Sequence, residues 1–354
     1  MYIHIYIVTV VPAYLAFLVI LVAIPVLGFI GIHGNLGFVI TLIFVFVTAA
    51  FTAILQGGIF GFAGMLSPLY IQAVMLGNGV AGIVTSVIRV ITKVTIESQK
   101  PVTLKQLNLS AAVYFFVSAG FILLCIVSYF VMSRTPFVMS RMNKKSKKVE
   151  DGEESTENDS LVPSSSTSQS AAVPASEAPV EKKASALAIM KKIWHMCFLV
   201  TFVFFVSLAI FPGLCVTIES YYGPGSVMAD WLPVLMIVTF NVFDFLGRLF
   251  PRFIVLFGER SVTIPVLLRV ILLPLFMMCI YPKVVYHDAV SLVFMGILSF
   301  TNGYLSSIVM MTAPGLVEPH EREMAGTIMT VFLLLGITLG SNSAMLIGKI
   351  VGLN

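Results

Sequence analysis

The sequence is poor in charged residues. Asp, Glu, Lys and Arg make up 11% of its 354 residues, whereas a typical soluble domain contains about 25%. Hydrophobic residues make up 58%, in runs long enough to cross a bilayer at about 20 residues per helix. The composition therefore excludes an ordinary soluble domain and predicts an all-α polytopic membrane protein.

Cysteines and catalytic motifs are also scarce. The four cysteines all fall within predicted spans without a CxxC or Cys/His spacing, so neither a disulfide framework nor a zinc site is expected. The five histidines lie at span ends or in turns, and no GxSxG, HExxH or Walker sequence is present. We therefore expect no enzymatic activity and no cofactor. Because the basic residues cluster beside helix ends and in one loop, we also expect no nucleic-acid partner.

The apolar runs predict about nine transmembrane helices. A charge-free stretch from residue 34 to 88 is too long for one span and is expected to turn at residues 65–68, where Ser67 and Pro68 stand. The predicted spans are approximately 5–30, 36–64, 70–94, 108–132, 193–217, 231–250, 262–281, 288–312 and 324–350.

A polar segment divides the chain into two helical bundles. Residues 134–192 contain two basic runs, an acidic stretch and a Ser/Ala/Pro tract, a composition that cannot bury a core and predicts disorder. The expected organisation is a four-helix lobe at 1–133, this loop, and a five-helix lobe at 193–354. The basic residues of the loop place it in the cytosol. By parity the N-terminus is also cytosolic and the C-terminus lies on the opposite side.

The predicted sixth span carries a polar stripe of Asn241, Asp244 and Arg248. At about 100° per residue these three positions fall within roughly 60° of one another. A charge at mid-membrane costs on the order of 2.5–3.5 kcal/mol, so such residues face partners or a water-filled cavity. Two interpretations follow: Asp244 and Arg248 neutralise each other and only hold helices together, or the stripe lines a solute pathway.

Polar or helix-breaking residues in three other spans add candidates. Gln56 places an amide at mid-span, which must bind a neighbouring group, water or a solute. Arg269 lies in an apolar run and either extends its charged end to the membrane surface or joins the polar stripe. Phe211 and Pro212 mark a place where the fifth span bends or breaks.

Several segments resemble the equilibrative nucleoside transporter family. Residues 240–248, FNVFDFLGR, are similar to the signature of that family's eighth helix, and residues 56–64, QGGIFGFAG, to its fourth. Residues 75–82 resemble its fifth helix, and residues 301–305 and 325–336 resemble its last two. The matches occur in the family's order across nearly the whole chain.

The resemblance implies a fold related to the major facilitator architecture, alternating access, and nucleosides or nucleobases as substrates. By the same resemblance Gln56 contacts the nucleoside from the first lobe, while Asp244 and Arg248 hold the ribose hydroxyls from the second. Asn241 supports that pair or lines the cavity. The remaining positions assigned to cavity lining or gating are Ile237, Gly77, Gly79, Phe211, Pro212 and Arg269.

The family usually has eleven spans, and the first span here is similar to its third. Two front helices are therefore expected to be missing from this chain. The leading hypothesis is a facilitative nucleoside carrier in the plasma membrane. The alternatives are a proton-coupled carrier that titrates Asp244, and a truncated subunit that does not transport.

Overall fold

The computed structural model describes residues 2–30, 34–96, 103–135, 185–281 and 283–352. Within these ranges, nine helical segments are long and apolar enough to cross a membrane. This number matches the predicted one. The predicted disordered loop lies largely outside the described residues.

The first four helices form what we call the first lobe. Helix α2 ends at Leu66 and α3 begins at Pro68, as predicted, because Ser67 accepts a hydrogen bond from the Leu69 amide and proline favours the first helical turn. The helices are α1 (Tyr2–Ile30), α2 (Gly34–Leu66), α3 (Pro68–Thr95) and α4 (Leu104–Ser133).

The helices after residue 185 form the second lobe. Its third membrane segment, the seventh along the chain, consists of two short helices, α7 and α8, joined by a 3-10 turn at Arg269–Ile271. The helices are α5 (Ala186–Ile210), α6 (Val227–Leu249), α7 (Thr263–Leu268), α8 (Leu272–Ile280), α9 (Asp288–Thr312) and α10 (Arg322–Val351).

The fifth helix differs from its predicted bounds of 193–217 at both ends. It begins at Ala186, seven residues before the predicted start. The prediction followed the apolar stretch, whereas the helix continues through Lys191 and Lys192. It ends at Ile210, since Pro212 cannot continue the helix. A short 3-10 turn at Cys215–Thr217 follows.

Helices α2 and α3 join the first lobe to the second. Helix α3 packs against α6 and α9, and α2 packs against α10. Within the second lobe, α5 packs against α10 and α6 against α9. We call the end of the bundle where α4 ends and α5 begins the loop face, and the opposite end the far face.

Glycines allow the closest helix contacts. A Cβ atom on Gly303 of α9 would overlap the Asp244 carbonyl of α6, and one on Gly247 would overlap the Phe300 carbonyl of α9. Between the lobes, a Cβ on Gly326 would overlap the Phe60 carbonyl. Small residues permit such approach of helix backbones in lipid, where close packing replaces the hydrophobic drive.

Candidate functional site

The polar stripe of α6 is buried where that helix meets α3 and α9. Arg248 Nε lies 2.6 Å from Asp244 Oδ2, and Arg248 Nη2 lies 3.4 Å from Asp244 Oδ1. Both residues are 6% exposed. The spacing of four residues left this ion pair open as one of two interpretations, and burial makes it far less screened by solvent than a surface pair.

Asn302 of α9 completes the surroundings of the carboxylate. Its Nδ2 donates to Asp244 Oδ1 over 2.7 Å, and its Oδ1 accepts from the Ser207 hydroxyl of α5 over 2.7 Å. Asp244 thus receives hydrogen bonds from two helices, its own and α9. A carboxylate held in this way has a fixed orientation.

Arg269 extends this polar network to a fourth helical segment. Its Nη2 donates to Ser207 Oγ and to the Leu298 carbonyl, and the residue is 2% exposed. The side chain is therefore directed into the lobe, as in the second of the two predicted alternatives. It reaches Asp244 through Ser207 and Asn302.

The stripe also faces the first lobe. Arg248 Nη1 lies 3.5 Å from Met75 Sδ, and Asn241 Nδ2 donates to Ser86 Oγ of α3 over 2.8 Å. Gly79 allows this approach, since a Cβ there would lie 3.3 Å from Arg248 Cδ. Asn241 and Arg248 therefore lie at the contact between the lobes.

Three other residues predicted for the site, Gln56, Ile237 and Gly77, are not among the residues bonded in this network. Gln56 of α2 is half-buried, and its Oε1 finds no hydrogen-bond partner among the described residues. Ile237 is half-buried on α6, one turn before Asn241. Gly77 lies on an exposed face of α3, where an added Cβ would meet nothing within 4 Å.

Phe211 and Pro212 lie at the end of α5. The Phe211 ring stacks on Phe240 of α6, with centroids 3.8 Å apart and planes at 5°. Phe240 lies next to Asn241, so the break in the fifth span packs directly behind the polar stripe.

An open apolar cavity of about 530 Å³ lies near the far face, at the start of α6. Its lining is almost entirely apolar and contains none of the residues of the polar stripe. The lining residues are Tyr222, Ser226, Val227, Met228, Trp231 and Leu235.

Sequence reasoning gave no role to Ser207, Asn302, Ser86 or Met75. Asn302 carried a usable signal, because an amide beside Gly303 in an apolar span needs a partner at a close helix crossing. Ser207 and Met75 carried none, because a lone hydroxyl or thioether in a span is ordinary.

Comparison with known proteins places the chain. The sequence profile of the family described as "Nucleoside transporter" matches residues 42–348. Equilibrative nucleoside transporter 1 of Homo sapiens is 34% identical over 327 residues, which cover 89% of this chain and 70% of that protein. Equilibrative nucleoside transporter 2 of Homo sapiens is 30% identical over 334 residues, covering 87% and 71%.

A plant protein also matches. Equilibrative nucleotide transporter 1 of Arabidopsis thaliana is 28% identical over 332 residues, which cover 92% of this chain and 68% of that protein. The family profile extends from α2 into α10 and includes the whole polar network. With its apolar helices and these similarities, the chain is an integral multi-pass membrane protein that belongs to the nucleoside transporter family.

Proposed function

We propose that this chain carries nucleosides across a membrane by facilitated transport, with the solute held between the two lobes. The observation that supports this most strongly is the buried Asp244–Arg248 pair, which faces the first lobe in a chain of the nucleoside transporter family. Both side chains are buried inside the protein, away from its surface, and both can form directional hydrogen bonds.

The pair suits a ribose diol. A carboxylate accepts hydrogen bonds from hydroxyl groups, and a guanidinium group donates several in a fixed plane. Arg248 Nη1 is held by Met75 Sδ, and a thioether sulfur is a weak acceptor. A ribose oxygen would replace that sulfur at a gain, while Arg248 Nε stays bound to Asp244.

Two further side chains extend this candidate site. Asn241 spans the lobe contact through Ser86, and Gln56 offers a buried oxygen on the first lobe. In this proposal Gln56 contacts the base, and Asn241 exchanges Ser86 for the solute. Ile237 supplies an apolar wall one turn away.

Alternating access would act on the contacts between the lobes. At the far face, Lys93 Nζ donates to the Asp230 carbonyl over 2.8 Å and lies 5.5 Å from the centre of the Trp231 ring. Nearer the loop face, α2 and α10 meet where Thr327 Oγ1 donates to the Gly57 carbonyl over 3.2 Å. In the proposed cycle these two groups of contacts open in turn.

The proposed orientation follows the charge distribution. Arg134 follows α4, Lys191 and Lys192 lie near the start of α5, and Arg252 follows α6. These basic residues belong to the loop face, so we assign that face to the cytosol. We assign the protein to the plasma membrane.

The assignment of Asp244 is tested by uptake of labelled uridine and adenosine into proteoliposomes. Asp244→Asn keeps the size of the side chain but removes its charge. We expect uptake to fall at least about tenfold, since hydrogen bonds to charged groups contribute about 1.5–3 kcal/mol.

Asp288→Asn is the matched control. Asp288 is also a buried carboxylate of the second lobe, but it binds Ser220 and the Tyr221 amide near the far face. We expect this variant to retain the wild-type Michaelis constant for uridine. Wild-type uptake by Asp244→Asn at equal protein content would contradict the proposed site.

A further inference from the structure

We propose that Arg269 is a positioning residue, which acts through Ser207 and Asn302 to fix the carboxylate of Asp244 for the solute. This inference rests on the proposed function. Arg269 itself would not touch the nucleoside, because it lies behind Asp244 inside the second lobe.

The backbone places Arg269 for this role. It begins the 3-10 turn between α7 and α8, and that break allows one guanidinium group to contact both α5 and α9. The contacts are Ser207 Oγ and the Leu298 carbonyl. The turn is thus connected to the two helices that hold Asp244 from behind.

The directions of the hydrogen bonds support a relay. Arginine can only donate, so Ser207 Oγ accepts from Arg269 and keeps one hydrogen to donate. The Ser207 hydroxyl can donate to Asn302 Oδ1 at 2.7 Å or to the Val203 carbonyl at 3.0 Å. Asn302 Nδ2 donates to Asp244 Oδ1, which leaves the Asn302 oxygen to face Ser207. The bond from Arg269 Nη2 holds the Ser207 hydroxyl in place to donate to that oxygen. Asn302 is therefore held with its oxygen towards Ser207 and its NH₂ group towards Asp244.

Charge gives Arg269 a second effect on the same carboxylate. Arg248 and Arg269 are both buried in the second lobe, and Asp244 is the acidic residue bonded within their network. The attraction between opposite charges therefore adds to the hydrogen bonds that hold the Asp244 carboxylate in place.

Packing alone does not account for Arg269. Its Nε and Nη1 are buried and have no hydrogen-bond partner in the part of the chain that the structure describes. Unpartnered buried donors cost stability, and a well-packed apolar side chain of similar volume often costs less than a buried ion. The cost is explained if the contact of Arg269 Nη2 with Ser207 holds Asn302 and Asp244 in place.

The test compares uridine with 2′,3′-dideoxyuridine, which has the same base but lacks both hydroxyl groups that Asp244 would read. Each compound competes against labelled uridine in proteoliposomes holding the full chain. We expect Arg269→Met to weaken uridine competition about tenfold, the factor that corresponds to about 1.4 kcal/mol. Competition by dideoxyuridine should stay unchanged, so the preference for the ribonucleoside falls.

Three further variants make this result specific. Arg252→Met removes an exposed arginine of the same lobe and should keep the wild-type preference. Ser207→Ala breaks the relay while Arg269 remains, and should lose part of the preference. The double variant Asp244→Asn with Arg269→Met should discriminate no worse than Asp244→Asn alone, because both changes act on the same carboxylate.

The outcomes separate the two proposals. If Arg269→Met transports uridine with the wild-type preference while Asp244→Asn loses it, the positioning role of Arg269 is overturned and the proposed function stands. If the wild-type protein does not prefer uridine, or Asp244→Asn keeps the preference, the site of the proposed function fails. If Arg269→Met does not fold, Ser207→Ala decides: an unchanged preference in that variant overturns the relay.

Discussion

The two lobes are built by different means. In the first lobe, only 6% of the apolar stretch of α2 is buried, compared with 67% of the stretch in α9 of the second lobe. The second lobe has an apolar core of its own, formed by residues such as Met236, Phe276 and Leu298. The corresponding cluster between helices of the first lobe centres on Ala13 and Leu55.

Four hydroxyl groups of the first lobe differ in their bonding from Ser207 of the second. Thr41, Thr48 and Thr52 of α2 and Ser118 of α4 each donate to a carbonyl one turn back in the same helix. Ser207 also lies within reach of a carbonyl of its own helix, that of Val203, but its hydroxyl contacts two other elements as well, Asn302 of α9 and Arg269 of the 3-10 turn. Bonds within one helix add nothing to helix packing. The second lobe is thus a fixed framework for Asp244, on which α2 and α3 of the first lobe rest.

The largest expected difference between the lobes comes from adding one methyl group. Gly303→Ala places a Cβ against the Asp244 carbonyl and 2.9 Å from the Arg248 amide nitrogen, so α6 and α9 must separate. We expect a loss of about 3 kcal/mol, at the upper end for overpacking, measured as thermal stability in detergent.

Gly77→Ala is the control in the first lobe. An added Cβ there meets nothing within 4 Å, and alanine is the better helix former by up to about 1 kcal/mol. Its thermal stability should equal or exceed that of the wild type. Equal stability of the two variants would show that α6 and α9 do not pack as described.

The next largest effect is the difference in stability loss between removing the hydroxyl of Ser207 in the second lobe and that of Ser118 in the first. Ser207→Ala removes the partner of the Asn302 oxygen and one of the two partners of Arg269 Nη2. We expect the loss to cost about 1–3 kcal/mol. Ser118→Ala removes only a bond to the Tyr114 carbonyl within α4 and should change stability by less than about 0.5 kcal/mol. Denaturation of both variants in the same detergent measures the difference. A larger loss from Ser118→Ala would reverse the comparison.

The smallest effect concerns a contact at the loop face. Lys192 Nζ lies 2.7 Å from Glu321 Oε2, and its hydrogen bond lowers the pKa of Glu321 from the ordinary value of 4.5. Because the folded-state pKa is depressed, this stabilisation is complete above pH 4.5 and is lost as the pH falls through the lowered value.

Glu321→Gln should remove that part of the pH dependence. Melting temperatures of the wild type and the variant would then converge as the pH falls below 4.5. The difference at neutral pH should be small, since Lys192 is 44% exposed and solvent screens the pair. Parallel curves with a constant offset would show that the pair does not cause the pH dependence.

The sequence predicts those features that depend on one helix at a time. The turn at Ser67 and Pro68, the spacing of Asp244 and Arg248 on one face, and the break after Ile210 all follow from local rules. The start of α5 does not follow from such rules. The helix begins before its apolar stretch and includes Lys192, which pairs with Glu321 of another segment.

Features that depend on how helices cross were beyond prediction. The contacts of Asn302 with Asp244, and of Ser207 with Arg269, exist because Gly303 brings α9 onto α6 and the turn at Arg269 approaches α5. Periodicity within one span gives no information on the neighbour that a polar side chain meets. For Arg269 the sequence left two directions open, and only the arrangement of the neighbouring helices distinguished them.

The measurement that tests the central claim most directly is counterflow of labelled uridine into proteoliposomes preloaded with unlabelled uridine. A facilitative carrier that alternates between its two faces should show a transient internal excess of label, which decays to equality and is the same with or without an imposed pH gradient. Label that never exceeds the external concentration, or a lasting excess that requires the pH gradient, would contradict the account.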